Sequence, residues 1–351
     1  MRRINSLNYI RIFFMIWILT FHAHLHYGYS APSPWINVLV YVGAIAVTGF
    51  FMISGFTLRY GYKNRLNDPA SIKKYYKNRI IGIYPVYLFL LILSYVLQYN
   101  MEETLTASLE LLPLQLSLMQ TFFYPQFILF SFNNNFWYIS VAFVLYLIFP
   151  ALNYLANQMK RPWVWILVFS LISCYQFWVH NYEAGGGDYY FYYYNPIFRI
   201  PEFFVGVLVC DAGEKMQKRV RFWVVFPSIA VFYGLLVLCY QTFLDRFNMY
   251  NIIMIPLMIV LLLACQKDTS VTDRIAGNRV ISYLASLGLN VYICQSVTLM
   301  IIEKDYFTVS RFYDKMPVPY LFMLMTFAVS VSVNLIIERP CKYLLKKVWV
   351  K

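Results

Sequence analysis

Charge is what this sequence has least of. Only 13% of its 351 residues are Asp, Glu, Lys or Arg, against roughly 25% in an average soluble domain. So few charges cannot clothe a soluble surface. Acidic residues are scarcer still, 16 against 29 basic ones, and there are only four histidines. The six cysteines are scattered at 174, 210, 239, 265, 294 and 341. They form no CxxC pair and have no metal-ligand spacing, so they read as small core residues rather than a disulfide or zinc framework. No internal repeat or low-complexity tract is visible. After Arg2 and Arg3 an apolar segment follows with no small-residue cleavage site, so the first helix is expected to remain as an anchor.

What is present is apolar length. Hydrophobic residues make up 60% of the chain and aromatic residues 20%. Residues 38–56 and 137–159 carry no charge at all. About 20 helical residues cross a hydrocarbon core of about 30 Å, and both runs reach or approach that length. Backbone in lipid must satisfy its own hydrogen bonds, which helices do. Barrel strands would alternate with a period of two, which is not seen. The sequence therefore predicts an all-α, polytopic transmembrane bundle of about ten helices forming one domain over 1–351. The spans fall at roughly 9–29, 36–58, 80–99, 137–158, 162–180, 197–212, 222–243, 250–266, 280–302 and 318–337. Residues 105–123 are apolar but contain Pro113 and read as a short interfacial or re-entrant helix. The tyrosine-rich run 189–194 follows Gly185–Gly187 and reads as an interfacial loop.

Ten spans place both termini on one side. With the termini inside, 23 Lys and Arg fall in cytoplasmic segments and four in outer loops. This positive-inside bias supports the orientation. It also accounts for the net charge of +13 without nucleic acid.

Ionisable residues inside a membrane cost about 2.5–3.5 kcal/mol each at its centre on insertion scales and are functional candidates. Arg11 and His22 lie eleven residues apart on the first span, close to three full turns, so they share a face about 16 Å apart along the axis. His26 continues that face. His22 is a candidate general base or a histidine bonded between helices. A metal site from His22, His24 and His26 is disfavoured, because alternate helical positions point apart. Arg11 either lines a cavity or snorkels to the headgroups. Arg199 and Glu202, three apart, can pair on one face, as a charge-neutralising pair or as a cavity wall. Ser54 and Gly55 form a small-residue patch, suited either to close helix packing or to a site. Residues 59–79 are expected to form an exposed cytoplasmic loop and hold seven basic residues, including Lys77 and Arg79. They serve topology and anionic lipid, or dock a phosphorylated ligand.

Six segments, in order, resemble acyltransferase family 3, the integral membrane acyltransferases of bacterial surface glycans. They are NYIR at 8–11 with His22, FFMISGF at 50–56, YKNRIIGIYPVY at 76–87, FWYISVAFVLYLIFP at 136–150 (with Trp137), RIPEF at 199–203 with Gly206, and IERP at 337–340. Three positions depart from the family's habit: Ala142 where a glutamate is common, Gly82 where a second arginine is common, and Gln295 where a histidine is common.

The resemblance implies an O-acyltransferase, with acetyl the commonest group. It would move an acyl group from a cytosolic acyl-CoA, a donor substrate rather than a bound cofactor, to a hydroxyl of a cell-surface or lipid-linked glycan. It places the protein in the bacterial inner membrane among its lipids. His22 would be the catalytic base with Arg11 beside it in the motif. Ser54, Lys77, Arg79 and Arg199 would serve the donor, and Glu202 and Trp137 would shape the cavity. Two alternatives stay open: a glycan or lipid-linked sugar transporter without chemistry, and a transferase of succinyl or another acyl group to a non-glycan acceptor.

Overall fold

The computed structural model describes residues 3–98, 110–123, 132–182, 193–217, 220, 222–242, 250–268, 271–305, 309 and 315–349. Among them no strand occurs. The helices are α1 (Leu7–Tyr27), α2 (Pro34–Tyr41), α3 (Ala46–Tyr62), α4 (Pro69–Gln98), α5 (Leu112–Ser117), α6 (Phe136–Gln158), α7 (Pro162–Tyr182) and α8 (Pro196–Lys215). They continue with α9 (Phe222–Thr242), α10 (Tyr250–Gln266), α11 (Val271–Ala276), α12 (Arg279–Ser286), α13 (Gly288–Glu303), α14 (Val318–Val333) and α15 (Arg339–Trp349). Five of them carry an internal proline, at 85, 150, 201, 227 and 256. A soluble helix tolerates this poorly, whereas a membrane helix re-satisfies the freed carbonyls through its neighbours.

Among the described residues, four helical stretches are long and apolar enough to cross a membrane: Gly43–Tyr62, Pro69–Leu97, Phe136–Gln158 and Val318–Trp349. A fifth qualifies if α12 and α13, bent by 50° at residue 287, are one broken span. Shorter apolar helices occupy Pro162–Gln176, Val224–Leu238 and Ile252–Gln266. The membrane-helical class of the fold is therefore established, while a total of ten crossings is not.

Several boundaries move from their expected places. The second expected span is split into α2, a 3₁₀ turn at Gly43–Ile45 and α3. The basic segment 59–79 is not one loop. Arg59 lies in the last turn of α3, and Lys73, Lys74, Lys77 and Arg79 lie on the first turns of α4. Hydropathy underestimates α4 because its charged beginning leaves the apolar stretch while remaining helical. Residues 112–117 form a short helix, as the proline suggested. Residues 183–192, most of the tyrosine-rich segment, lie outside the described residues.

The chain separates into two compact units. The first comprises Met1–Phe21, Ser30–Leu66 and Ile148–Ser286, and the second His22–Tyr29, Asn67–Leu147 and Leu287–Lys351. In the first, α8 is the central helix. Fifteen of its residues are buried, and it packs on α3, α7 and α10. The crossing of α3 and α8 is set by two glycines. A Cβ on Gly55 would lie 2.0 Å from the Phe203 carbonyl oxygen, and one on Gly206 would lie 2.1 Å from that of Met52. Each glycine receives the other helix's backbone, which only a missing side chain permits. The FFMISGF and RIPEFFVG segments thus meet in the fold, and close packing explains Gly55.

In the first unit Asp273, at the start of α11, caps α1 from a distance. Its Oδ1 accepts from the backbone N–H of Asn5 at 2.9 Å and of Ser6 at 3.0 Å. In the second unit the helix begun at Val318 widens into a π turn at Asn334–Glu338. Pro340 follows, lacking an N–H and crowding the carbonyl four residues before it.

Candidate active site

Among the described residues, the fully or nearly buried charges all lie in the first unit. Arg199 and Glu202, one turn apart on α8, are both fully buried, with Nη1 donating to Oε1 at 3.0 Å. Arg199 Nε donates to the Tyr193 carbonyl at 2.8 Å. Its guanidinium lies 4.2 Å from the Tyr193 ring centroid and 5.9 Å from that of Phe51. The ion-pair reading of these residues is realised, and the aromatic rings add cation–π contacts. Arg11 and Ser54 are half-buried in the same unit.

Arg59, expected among the exposed basic residues, is instead fully buried. Its Nε and Nη2 donate to Asp211 Oδ1 and Oδ2 at 3.0 and 2.7 Å. Nη1 donates to the carbonyl and Oδ1 of Asn153 at 3.0 and 2.7 Å, and Nη2 to Asn157 Oδ1 at 2.8 Å. Lys63 pairs with Asp211 at 2.7 Å and with Glu214 at 2.5 Å. Burial acts to lower the Lys63 pKa, but the bonds to these two carboxylates outweigh it and raise it. Arg59 and Lys63 therefore hold α3 and α8 together, and the basic surface left by segment 59–79 is Arg65, exposed between α3 and α4, and the basic residues of α4.

There Lys73 and Lys74 are exposed. Lys77, half-buried, donates to the carbonyl of Trp349 at 2.7 Å. Arg79 lies over the rings of Tyr75 and Tyr146, at 5.5 and 5.8 Å. These residues belong to the second unit.

His22 also belongs to the second unit. It lies five residues before the end of α1, half-buried, with its Nδ1 hydrogen-bonded to Oε1 of Gln295 on α13. The ring of Tyr292, one turn earlier on α13, lies 6.0 Å from the imidazole. Tyr138 follows at 4.9 Å from Tyr292, and Trp137 at 6.4 Å. His22 therefore faces an aromatic wall built by α13 and the start of α6, and Trp137 stands in that wall. His26 lies 6.2 Å away, edge-on. His24 turns elsewhere, its Nδ1 meeting the Tyr29 carbonyl at 2.8 Å.

The asparagines ahead of α6 fix this wall. Asn135 Nδ2 donates to the Tyr292 carbonyl at 2.7 Å, and Asn133 Nδ2 to that of Ile293 at 3.3 Å. Asn133 Oδ1 also accepts from the Asn135 backbone N–H at 3.0 Å. Glu338, in the IERP segment, accepts from Asn290 at 2.6 Å and Asn334 at 2.5 Å, and also pairs with Lys342. Sequence reading passed over Asn133, Asn135 and Tyr292. The available signal was the triple asparagine directly before an apolar helix.

Chemically, an imidazole in an aromatic, largely uncharged setting can take and return a proton. No group of three or more His, Cys, Asp or Glu side chains that could hold a metal occurs among the described residues. A relative, the acyltransferase MdmB of Streptomyces mycarofaciens, is 27% identical, over 48% of this chain and 46% of that protein. The chain thus spans about half the length of this curated relative. No solved structure matches. The profile of the acyltransferase domain family covers residues 4–337 and so runs through both units and every segment discussed above. The chain belongs to acyltransferase family 3.

Proposed function

We propose that the protein is a membrane O-acyltransferase. It moves an acyl group, acetyl first among them, from cytosolic acyl-CoA to a hydroxyl of a cell-surface or lipid-linked glycan. The observation that carries this reading is His22: a half-buried imidazole on an apolar helix, held by Gln295 and faced by aromatic rings, in a chain of this family.

A sugar hydroxyl is a weak nucleophile at neutral pH. His22 takes its proton as the oxygen attacks the thioester carbonyl carbon. The new C–O bond forms, the C–S bond breaks, and the thiolate of coenzyme A leaves with the proton that the imidazolium returns. Arg11, Ser54 and Arg199 are assigned to the donor's carbonyl or phosphates, with Glu202 balancing Arg199. Lys77 and Arg79 attract the anionic nucleotide, and Trp137 offers an aromatic face to the sugar. We place the protein in the bacterial inner membrane, with ten crossings and both termini cytoplasmic.

The test is His22→Ala in membranes of the producing cells. Thiol release from acetyl-CoA and mass spectrometry of the surface glycan are followed together. Bases of this kind supply about 10²–10⁴-fold. The variant should insert normally and lose acyl transfer. Retention of more than about a tenth of the activity would refute the role of His22. Glycan transport without thiol release would make the protein a transporter.

A further inference from the structure

We infer that Gln295 is a positioning residue that fixes the tautomer of His22, placing the proton on Nδ1 and the basic lone pair on Nε2. The inference rests on the proposed general-base role of His22. It explains how a chain with glutamine at this point of α13 keeps its histidine ready for proton transfer.

Gln295 is fully buried, yet only half of its amide is used. Its Oε1 meets His22 Nδ1, while its Nε2 has no hydrogen-bond partner. Leaving a buried donor unsatisfied costs about 1–3 kcal/mol. A glutamine placed only to satisfy polarity would engage both ends of its amide, and an apolar residue of the same size would avoid that cost. The arrangement retains Gln295 as an acceptor. An amide oxygen cannot donate, so the proton between it and the ring must sit on Nδ1. The other nitrogen, Nε2, then holds the lone pair that a general base needs. The bond made by one ring nitrogen sets the state of the other.

The acceptor is itself held in place. Asn135 and Asn133 bond to the carbonyls of Tyr292 and Ile293, directly before Gln295. Thr298 Oγ1 donates to the Cys294 carbonyl at 3.0 Å. Tyr292 limits the imidazole from the α13 side, and His26 from one turn along α1. A neutral amide leaves the ring's net charge unaltered, so Gln295 orients His22 without adding a charge within the apolar helices.

The test combines spectroscopy with kinetics on the full chain in lipid bilayers. Nitrogen-15 spectra of histidine-labelled protein, with the His22 signal assigned by its loss in His22→Ala, report which nitrogen carries the proton. Wild type should show Nδ1–H. A wild-type signal from Nε2–H would mean that the amide donates to the ring, and the inference would fall without any variant. Gln295→Met keeps the length and removes the acceptor. It should move His22 towards Nε2–H and lower kcat on the order of 10²-fold, with the KM for acetyl-CoA unchanged. Gln295→Glu restores an oxygen acceptor and should recover most of kcat. Equal loss in the Met and Glu variants, or a Met variant with wild-type kcat, would overturn the inference. If His22→Ala itself remains active, the base assignment fails rather than the role of Gln295 as acceptor, which the wild-type spectrum reads independently.

Discussion

Replacing Asp211 by asparagine keeps the shape of the side chain and removes one charge from the α3–α8 contact. Arg59 has no exposure to solvent and gives two of its five hydrogen bonds to Asp211. Removing one partner of a buried ion pair costs about 3–5 kcal/mol, because the other charge stays desolvated. The oxygens of Asn153 and Asn157 remain beside the guanidinium and pull the expectation to the lower end. Lys63 adds little, since it keeps Glu214 and is partly exposed. At about 2.1 cal/mol/K of unfolding entropy per residue, a chain of 351 residues shifts by roughly 1.4 °C per kcal/mol, so a loss of about 3 kcal/mol lowers the melting temperature by roughly 4 °C. Thermal unfolding of the purified protein in detergent, followed by helical circular dichroism, measures it. Adding Arg59→Met should then cost little more, with a coupling of about 2 kcal/mol between the two positions. Strictly additive losses, or a melting temperature within about 2 °C of wild type for Asp211→Asn, would refute the reasoning. So would a several-fold rise in the acetyl-CoA KM of the double variant, since Arg59 would then reach the donor.

Three further outcomes are expected. Gly206→Ala drives a Cβ to 2.1 Å from the Met52 carbonyl oxygen and should destabilise by about 1–3 kcal/mol or more, whereas Gly82→Ala meets nothing within 4 Å and should be neutral or gain up to about 1 kcal/mol of helix propensity; melting temperatures of the two variants decide. Neutralising Lys77 and Arg79 together should raise the acetyl-CoA KM more than that of the acceptor; exposed charges are screened within about 8 Å at physiological salt, so a steering effect fades with added salt while a direct phosphate contact persists, and an unchanged donor curve at both salts would confine these residues to topology and lipid contact. Reporter fusions after Lys351 and within 63–68 should both read cytoplasmic, and an external carboxyl terminus would refute an even number of crossings.

The helical class and the pairing of Arg199 with Glu202 were legible in the sequence, because a polar residue in an apolar run stands out wherever it occurs. Gly55 was legible as a packing residue for the same reason, small size at helical spacing. The partners were not. Asp211 is 152 residues from Arg59, and Gln295 is 273 residues from His22; no local periodicity couples such positions. The assignment of Arg59 to an exposed loop failed because a window of hydropathy ends where charge begins, although the helix does not. The break between α12 and α13 was invisible for the opposite reason. Both arms are apolar enough to read as one span, and the bend falls on Leu287, which carries no breaker's signature.

The two units alternate along the chain, changing over between residues 21 and 22, 29 and 30, 66 and 67, 147 and 148, and 286 and 287. During synthesis, neither unit can close early. The Gly55 face of α3 waits for Gly206, about 150 residues later, or roughly 8–30 s at ribosomal rates of about 5–20 residues per second. Through that interval Arg59 has been made and Asp211 has not. A nascent chain must therefore keep a guanidinium at the lipid headgroups, outside its final place, and draw it inward only when α8 arrives. Chains that end between Arg59 and Asp211 carry that charge without its carboxylate.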